Sequence, residues 1–516
     1  MSKKLLKSTA VVSLMTLLSR ISGLVRDVVM ANILGAGSLS DTFFVAFRIP
    51  NFLRRIFGEG AFSQAFIPVF SELTERNTEE ARRFVNATTG VLAVATLLLS
   101  TLGIVFAPEI VVLFTPGFAD EPLKVAHTVE ALRIMFPYLF CISLVAMSAG
   151  ILNTTNRFAV PAATPVILNL CMILALLVLV PLLQDATKAL AIGVLIAGVV
   201  QLLFQLPSLR AAGYLPRPVL TLKNASTHRV FTLMLPAIFS VSVAQINTII
   251  NTILASFLAA GSISWLYYSE RLMEFPVAVF GIALATVVLP SLSKEHKSGS
   301  AEGFATMLDW ALRWVILIAT PATFALYVLA TPLLTTIFQY NQFTIESVQM
   351  SALSLQAYAV GVSGFIFVKV LAPGFFARQD TKTPMKIAIV SVLSNVVLSL
   401  SLVGTYKHTG LALAISLAAW VNASLLFSVL WWRGIYRPQS GWLGFILRVG
   451  LAVTVMVVAI QALNSAPEVW YARDLLTRFA HLVLLVGVGA VSYFATLFLT
   501  GVRPRQLLLA PTSTKP

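Results

Sequence analysis

The chain has 516 residues, 58% of them hydrophobic and only 11% charged, with a mean hydropathy of +0.88. Soluble domains carry roughly 25% charged residues, so composition alone excludes a soluble globular protein and places the chain in a membrane. A net charge of +15 and a pI near 10.0 would suggest nucleic acid in a soluble protein, but here topology accounts for the basic balance and no nucleic-acid partner is expected.

The start, "MSKKLLKSTAVVSLMTLLSRISG", has the basic n-region of a signal peptide. Arg20 interrupts the apolar run and no small-x-small cleavage site follows, so it reads as an uncleaved first span. A span needs about 20 apolar residues. Fourteen runs meet that need, near 8–34, 39–70, 86–107, 126–151, 159–183, 188–210, 229–258, 263–292, 304–330, 348–376, 384–404, 409–432, 442–463 and 475–500. With the N-terminus cytoplasmic, the cytoplasmic segments hold 21 Lys and Arg, among them Lys3, Lys4, Lys7, Arg378, Lys382, Lys386, Arg503 and Arg505. The opposite face holds five: Lys124, Lys188, Lys407, Arg473 and Arg478. This bias satisfies the positive-inside rule and predicts both termini in the cytoplasm.

The first six spans resemble the next six. "AGSLS" at 36–40 recurs as "AGSIS" at 260–264, and "APEIVVLF" at 107–114 matches "TPLLTTIF" at 331–338, both at an offset of 224. "FGEGAFSQAFIPVFSE" from Phe57 matches "FGIALATVVLPSLSKE" from Phe280, and Pro161 matches Pro384, at 223. Any one match is weak; four in chain order at nearly one offset are hard to dismiss. Six is an even number, so the two halves share one orientation, related by an axis along the membrane normal. In transporters that plan places the substrate path between the halves and gives alternating access by rocking. The expected fold is an all-α polytopic membrane protein of about fourteen helices. It comprises an N-terminal lobe (1–222), a C-terminal lobe (223–438), and spans 13–14 with a cytoplasmic tail (439–516). The blander reading is a duplicated scaffold without transport, such as a polytopic enzyme.

Motifs for catalysis or metal binding are missing from the sequence. Cys141 and Cys171 sit in apolar runs and read as small core hydrophobes. His127, His228, His296, His408 and His481 show no ligand spacing, and there is no HExxH, P-loop or GxSxG. Neither enzyme, metal nor cofactor is expected.

The embedded charges carry the functional signal. Span 1 holds Arg20, Arg26 and Asp27; span 2 holds Asp41, Arg48, Arg54, Arg55 and Glu59; span 8 holds Glu270, Arg271 and Glu274. Arg20 lies roughly 18 Å along a helix begun at Ser8, about mid-bilayer. Asp41, Arg48, Arg55 and Glu59 are spaced seven, seven and four apart, which makes one stripe on a 3.6-residue helix, with Arg54 off to its side. Pro50, Gly58 and Gly60 are expected to bend that helix. Each Arg at mid-bilayer costs roughly 2.5–3.5 kcal/mol, so such a stripe faces protein or a water-filled cavity, not lipid. Arg313 and Lys369 stand as single cations in spans 9 and 10.

Two readings of these charges remain. Arg26–Asp27, Asp41–Arg48 and Arg55–Glu59 are suited to neutralised pairs that hold helices together. Against that, five arginines and three carboxylates leave spans 1 and 2 with a surplus of two positive charges. At an offset of 224, Arg20, Arg26, Asp27 and Asp41 map to Ala244, Ile250, Asn251 and Trp265, so these charges occur in the first half alone. A ligand explains that asymmetry better than a scaffold does. Arginine forks suit phosphate oxygens, so the ligand is expected to be an anion.

The segments "SRISGLVRD" (19–27), "SDTFFVAFRIPNFLRRIFGEGAFSQAFIPVF" (40–70), "ILNTTNRFAVPA" (151–162), "WLYYSERLMEFP" (265–276) and "GFFARQDTKTP" (374–384) resemble the MurJ (MviN) family of lipid II flippases. That family lies within the multidrug/oligosaccharidyl-lipid/polysaccharide exporter superfamily, and the resemblance extends over nearly the whole chain. It implies a V-shaped carrier of two lobes, with spans 13–14 forming a groove for a polyprenyl tail. The substrate it implies is undecaprenyl-diphosphate-linked disaccharide pentapeptide, moved to the outer leaflet of the inner membrane for peptidoglycan synthesis. The family's cavity arginines match Arg20, Arg26, Arg54 and Arg271, the substrate-binding candidates; its cavity acids match Asp41 and Glu59. Asp27, Arg48, Arg55, Glu270 and Glu274 complete the candidate cavity charges, Glu270 standing where the family pattern leads one to expect Asp. Partners implied are lipid II, membrane lipids, and proteins of cell-wall synthesis or division. A drug or cation antiporter of the superfamily would want a net-acidic cavity. An exporter of another lipid-linked oligosaccharide shares the fold and differs only in the motifs.

The topology has a direct test. Cysteine placed at Asn224 in the linker "AAGYLPRPVLTLKNASTH" resists an impermeant thiol reagent in intact cells, while cysteine at Asp120 or Lys407 labels readily. Labelling at Asn224 with protection at Asp120 would invert the topology.

Overall fold

A backbone inside a bilayer finds no water for its N–H and C=O groups, and this chain satisfies them with helices. The computed structural model describes residues 3–221 and 224–502, with their side chains except at 3–10, 57–59, 239–241, 243 and 244. The side chains of Lys3, Lys4, Lys7 and Glu59, and the whole of Arg503 and Arg505, therefore lie outside what is described. In chain order the helices are α1 (Lys3–Leu34), α2 (Ser38–Arg54), α3 (Ala61–Arg76), α4 (Thr78–Val105), α5 (Ala107–Phe114), α6 (Pro122–Met135), α7 (Tyr138–Thr154), α8 (Ala159–Leu174), α9 (Val180–Leu183), α10 (Ala186–Ala211) and α11 (Ala225–Ser256). Then come α12 (Ser262–Pro276), α13 (Ile282–Lys297), α14 (Ala301–Val328), α15 (Ala330–Phe338), α16 (Ile345–Phe376), α17 (Lys382–Trp432), α18 (Trp442–Leu463), α19 (Pro467–Ala472) and α20 (Leu475–Leu499). No strand occurs among the described residues.

Every apolar run named above falls on helix. Among the described residues, ten helical stretches are long and apolar enough to cross a membrane by length and composition. Of the runs not among these ten, span 2 carries Asp41, Arg48, Arg54, Arg55 and Glu59, and α1 and α11 each include residues whose side chains lie outside the described set. The eleventh and twelfth runs are joined in the 51-residue α17, broken only at Lys407, where φ is 51° and ψ is −132°. Spans 2 and 8 both contain a π-helical turn. One, Arg55–Gly60, joins α2 to α3; the other, Val277–Gly281, joins α12 to α13. Both turns contain a Phe-Gly pair of the repeat, Phe57 with Gly58 and Phe280 with Gly281. The duplication thus extends to an irregularity of the backbone.

By contact, the chain divides into two compact units between Ser264 and Trp265. The sequence repeat instead begins its second copy near residue 223, so α11 packs with the first unit. In that unit α1 packs along α8, α10 packs against α6, α7 and α8, and α11 lies along α3. Its core is a stack of rings, Phe62 on Phe66, and Phe66 on both Phe70 and Phe84, joined by Val230 and Met234 of α11. Thr88 and Thr227 share a hydrogen bond of 3.0 Å, and Arg229 pairs with Glu72 at 2.9 Å. The connection before α11 is strapped down. Arg82 Nε donates to the Gly213 carbonyl (2.9 Å), and the Arg217 and Val219 amides donate to Asn86 (2.7 and 3.1 Å). Glycine at 90 permits this approach, because a Cβ there would lie 2.3 Å from the Val219 oxygen.

In the second unit α16 packs along α17 through small residues, a close approach that membrane helices use in place of a hydrophobic driving force. A Cβ on Gly361 would come within 2.7 Å of Ser416 Cα. Helices α18 and α20 pack on each other and are held to α14 and α15 by two buried charges. Asp309, 3% exposed, accepts hydrogen bonds from Tyr436 Oη (2.7 Å), the Gln439 amide (3.1 Å), Trp442 Nε1 (2.6 Å) and Arg313 Nε (2.8 Å). Arg313 is therefore not the single cation expected from sequence: its counter-charge sits four residues earlier in the same span. Arg478, 6% exposed, donates to the carbonyls of Thr335, Gln339, Trp470 and Tyr471. Those carbonyls lie at the C-terminal ends of α15 and α19, where a cation compensates the helix dipoles. Tyr493 Oη adds a bond of 2.6 Å to the Leu317 carbonyl.

Removing Asp309 leaves several donors without their acceptor. Hydrogen bonds to charged groups contribute roughly 1.5–3 kcal/mol each. Asp309→Ala is expected to lower the thermal midpoint of the purified protein well below that of Arg313→Ala, which leaves three donors on Asp309. Equal losses would place the anchor in the ion pair alone.

Candidate functional site

The charged residues of spans 1 and 2 are brought together in the first unit, each with identifiable surroundings. Arg26 is 8% exposed and Asp27 fully buried. The Arg26 fork donates through Nε and Nη2 to Asp27 Oδ1 (3.0 and 2.6 Å), and through Nη1 to Asn169 Oδ1 on α8 (3.1 Å). Asn169 in turn donates to the Ser19 carbonyl (3.1 Å) and Ser22 Oγ (2.9 Å), so one amide ties α8 to α1 and orients Arg26. Six residues before Arg26, Arg20 is half-buried and makes no hydrogen bond or ion pair with a described residue.

Span 2 departs from the expected pairing. Asp41 is 1% exposed, and Arg48 is not its partner. Asp41 Oδ2 accepts from the Gly261 amide (2.7 Å); Oδ1 accepts from the Ser264 amide (2.9 Å) and Ser264 Oγ (2.6 Å). Ser264 Oγ also meets Ser40 Oγ at 2.8 Å. Ser40 and Ser264 are 224 residues apart, so equivalent serines of the two repeats touch. Arg48 donates instead to Thr252 Oγ1 on α11 (2.6 Å), Arg54 to Asn51 Oδ1 (2.8 Å), and the exposed Arg55 to Gln245 Oε1 on α11 (3.0 Å). Glu59 lies in the π-turn, its side chain outside the described set. Of the three neutralised pairs weighed from sequence, Arg26–Asp27 forms, while Asp41 and Arg48 each take other partners. Asp41 and Arg48 both lie on the regular α2, so their spacing holds and the fold simply supplies other partners; the π-turn from Arg55 onward shifts only the position of Glu59 off the straight-helix register.

In the second unit Arg271 lies 3.9 Å from Glu274, with the Glu274 side chain 57% exposed and that of Arg271 31% exposed. Glu270 is half-buried on the same helix. No group of three or more His, Cys, Asp or Glu capable of holding a metal occurs among the described residues. Sequence reasoning missed Asn169, Thr252, Gln245 and Ser264. Polar residues in otherwise apolar spans were the available signal, and only the fold says which charge each one meets.

The helical plan and its buried charges define a multi-pass membrane transporter. The fold matches a structure described as the inward-facing conformation of a multidrug resistance MATE family transporter of the MOP superfamily. That match has a TM-score of 0.68 at 16% identity and covers 81% of this chain and 94% of the other; it shows the fold alone. A structure described as lipid II flippase MurJ, inward closed conformation, matches with a TM-score of 0.78 at 27% identity, over 94% and 99% of the two chains. The family described as lipid II flippase MurJ matches residues 30–510. The probable lipid II flippase MurJ of Vibrio cholerae is 44% identical over 99% of this chain and 98% of its own length. The lipid II flippase MurJ of Burkholderia cenocepacia is 42% identical over 96% and 98%. The chain belongs to the MurJ family, a family of transporters and not of enzymes.

The Arg26–Asp27 pair predicts a specific coupling. Removing one member of a buried ion pair costs roughly 3–5 kcal/mol, because the other charge stays buried. Arg26→Ala is therefore expected to lower the thermal midpoint markedly, and Asp27→Asn in the same chain to restore much of it. A double variant less stable than Arg26→Ala would show that Asp27 is held by something else.

Proposed function

We infer that the protein moves lipid II, the undecaprenyl-diphosphate-linked peptidoglycan precursor, from the cytoplasmic to the outer leaflet of the bacterial inner membrane by alternating access. The observation that carries this reading is the family match over 30–510 in a chain whose first two spans hold five arginines against three carboxylates. A drug or cation antiporter would need the opposite sign. The bias of basic residues toward one set of connections supports a chain with both termini in the cytoplasm.

Arg20, Arg26, Arg54 and Arg271 are assigned to the substrate diphosphate. Arg20 makes no hydrogen bond or ion pair with a described residue, and Arg54 donates to Asn51 Oδ1. For Arg26, Asp27 acts as a resident anion that the diphosphate replaces. Asp41 serves the amides of Gly261 and Ser264 and is not paired with Arg48. Residues 1–222 and 223–438 form the two transport lobes of this reading, and 439–516 supplies the surface for the polyprenyl tail. Exposed Leu447, Val458, Val486, Val491 and Phe498 on α18 and α20 suit such a tail.

Losing one charge-assisted contact weakens binding by about ten- to a hundredfold, from roughly 1.5–3 kcal/mol per bond. Arg20→Ala and Arg54→Ala are expected to lose lipid II binding to that extent and to fail in complementing a depleted strain at normal protein levels. Lysine keeps the charge but not the fork, so Arg54→Lys stays impaired. Variants that insert normally, bind lipid II like the wild type and support growth would overturn the assignment.

A further inference from the structure

Lys369 is an embedded cation that this reading leaves without a task. It lies on α16, seven residues before the helix ends at Phe376, hence about 10 Å inside the span. Its neighbours Ile366 and Val370 are fully buried, whereas Lys369 is exposed. Its ammonium makes no ion pair or hydrogen bond with a described residue. Arg313, Arg478 and Lys124, in contrast, are all matched by carboxylates or carbonyls.

The lysine stem is positioned by the π-turn of span 8. A Cβ on Gly281 would stand 3.4 Å from Lys369 Cγ and 3.8 Å from its Cβ, so glycine makes the shelf on which the stem lies. The same span carries Arg271, ten residues earlier, or about 15 Å along the helix. Lys369, leaning on span 8 from α16, and Arg271, on span 8 itself, are therefore two cationic stations of the second unit. At an offset of 223 or 224, Lys369 maps to Ala146 or Val145, so the first half has no counterpart.

We propose that Lys369 is a specificity-determining contact for the substrate's head group, binding a carboxylate of the peptide while Arg271 of the same unit meets the diphosphate. The inference rests on the lipid II reading above. Over the roughly 15 Å of helix between the Gly281 shelf and Arg271, a diphosphate followed by a disaccharide and a pentapeptide has the length and the groups to meet both, and any such peptide ends in a carboxylate. A lysine suits this second contact, since its compact charge on a flexible stem accepts an anion whose position varies. The competing role is a snorkelling lysine that serves only the membrane interface.

The experiment measures binding of two probes, full lipid II and undecaprenyl diphosphate, to purified full-length protein in lipid nanodiscs. Lys369→Gln is expected to weaken lipid II roughly tenfold and to leave undecaprenyl diphosphate unchanged. Lys369→Arg should keep most of the lipid II affinity and shows that the site tolerates substitution. Lipid II bound equally by wild type and Lys369→Gln would overturn the inference and return Lys369 to the interface. Equal weakening of both probes would also overturn it, by placing Lys369 on the diphosphate. Failure of the wild type to bind lipid II would instead remove the lipid II reading itself.

Discussion

A charge carried into a bilayer must be met by something, and the structure is organised around how each one is met. Asp309 collects four donors and becomes the anchor of α18. Arg478 collects four carbonyls and closes the ends of two helices. Asp41 receives two amides and a hydroxyl at the start of α12. None of these groups retains much capacity for a ligand. They act where hydrophobic packing cannot, since lipid competes for every apolar surface and gives helices no reason to prefer each other.

The charges left over are informative for the opposite reason. Arg20 and Lys369 have no acceptor among the described residues, and natural membrane proteins rarely keep such groups without a use. Arg26 lies between the two classes. Its partner Asp27 makes the resting arrangement tolerable, yet both sit in a span where the second repeat has Ile250 and Asn251. A scaffold that could be built in one half without the pair did not need it in the other.

Composition, charge bias and the 223–224 offset made the membrane fold, the span positions and the duplication legible in the sequence. The motifs around Arg20, Arg54 and Arg271 were enough to indicate the family. Three things were not legible. The stripe was carried from Arg55 to Glu59 at a constant 3.6 residues per turn, and the π-turn at Arg55–Gly60 breaks that period. Asn169, Thr252 and Gln245 answer arginines more than a hundred residues away, and an amide or hydroxyl in a span carries no mark of its partner. The packing of α11 with the first unit cuts across the repeat, because the repeat records ancestry whereas packing follows the contacts of Val230 and Met234.

The two copies of the repeat differ in an ordered way. Backbone devices were kept in both: the Phe-Gly π-turns of spans 2 and 8, and the equivalent serines Ser40 and Ser264. Side-chain charge was not. The first copy concentrates its arginines in spans 1 and 2, while the second keeps Arg271 and adds Arg313 and Lys369. The shared Phe-Gly turns belong to the common backbone plan, whereas the π-turn at Ala175–Leu179 in span 5 has no counterpart in α17. On the function proposed above, charge answers to a ligand. An amphiphile with a diphosphate at one point, a peptide at another and an apolar tail at a third presents different chemistry to each side that meets it. Divergence of charge on a conserved backbone is what such a substrate would select.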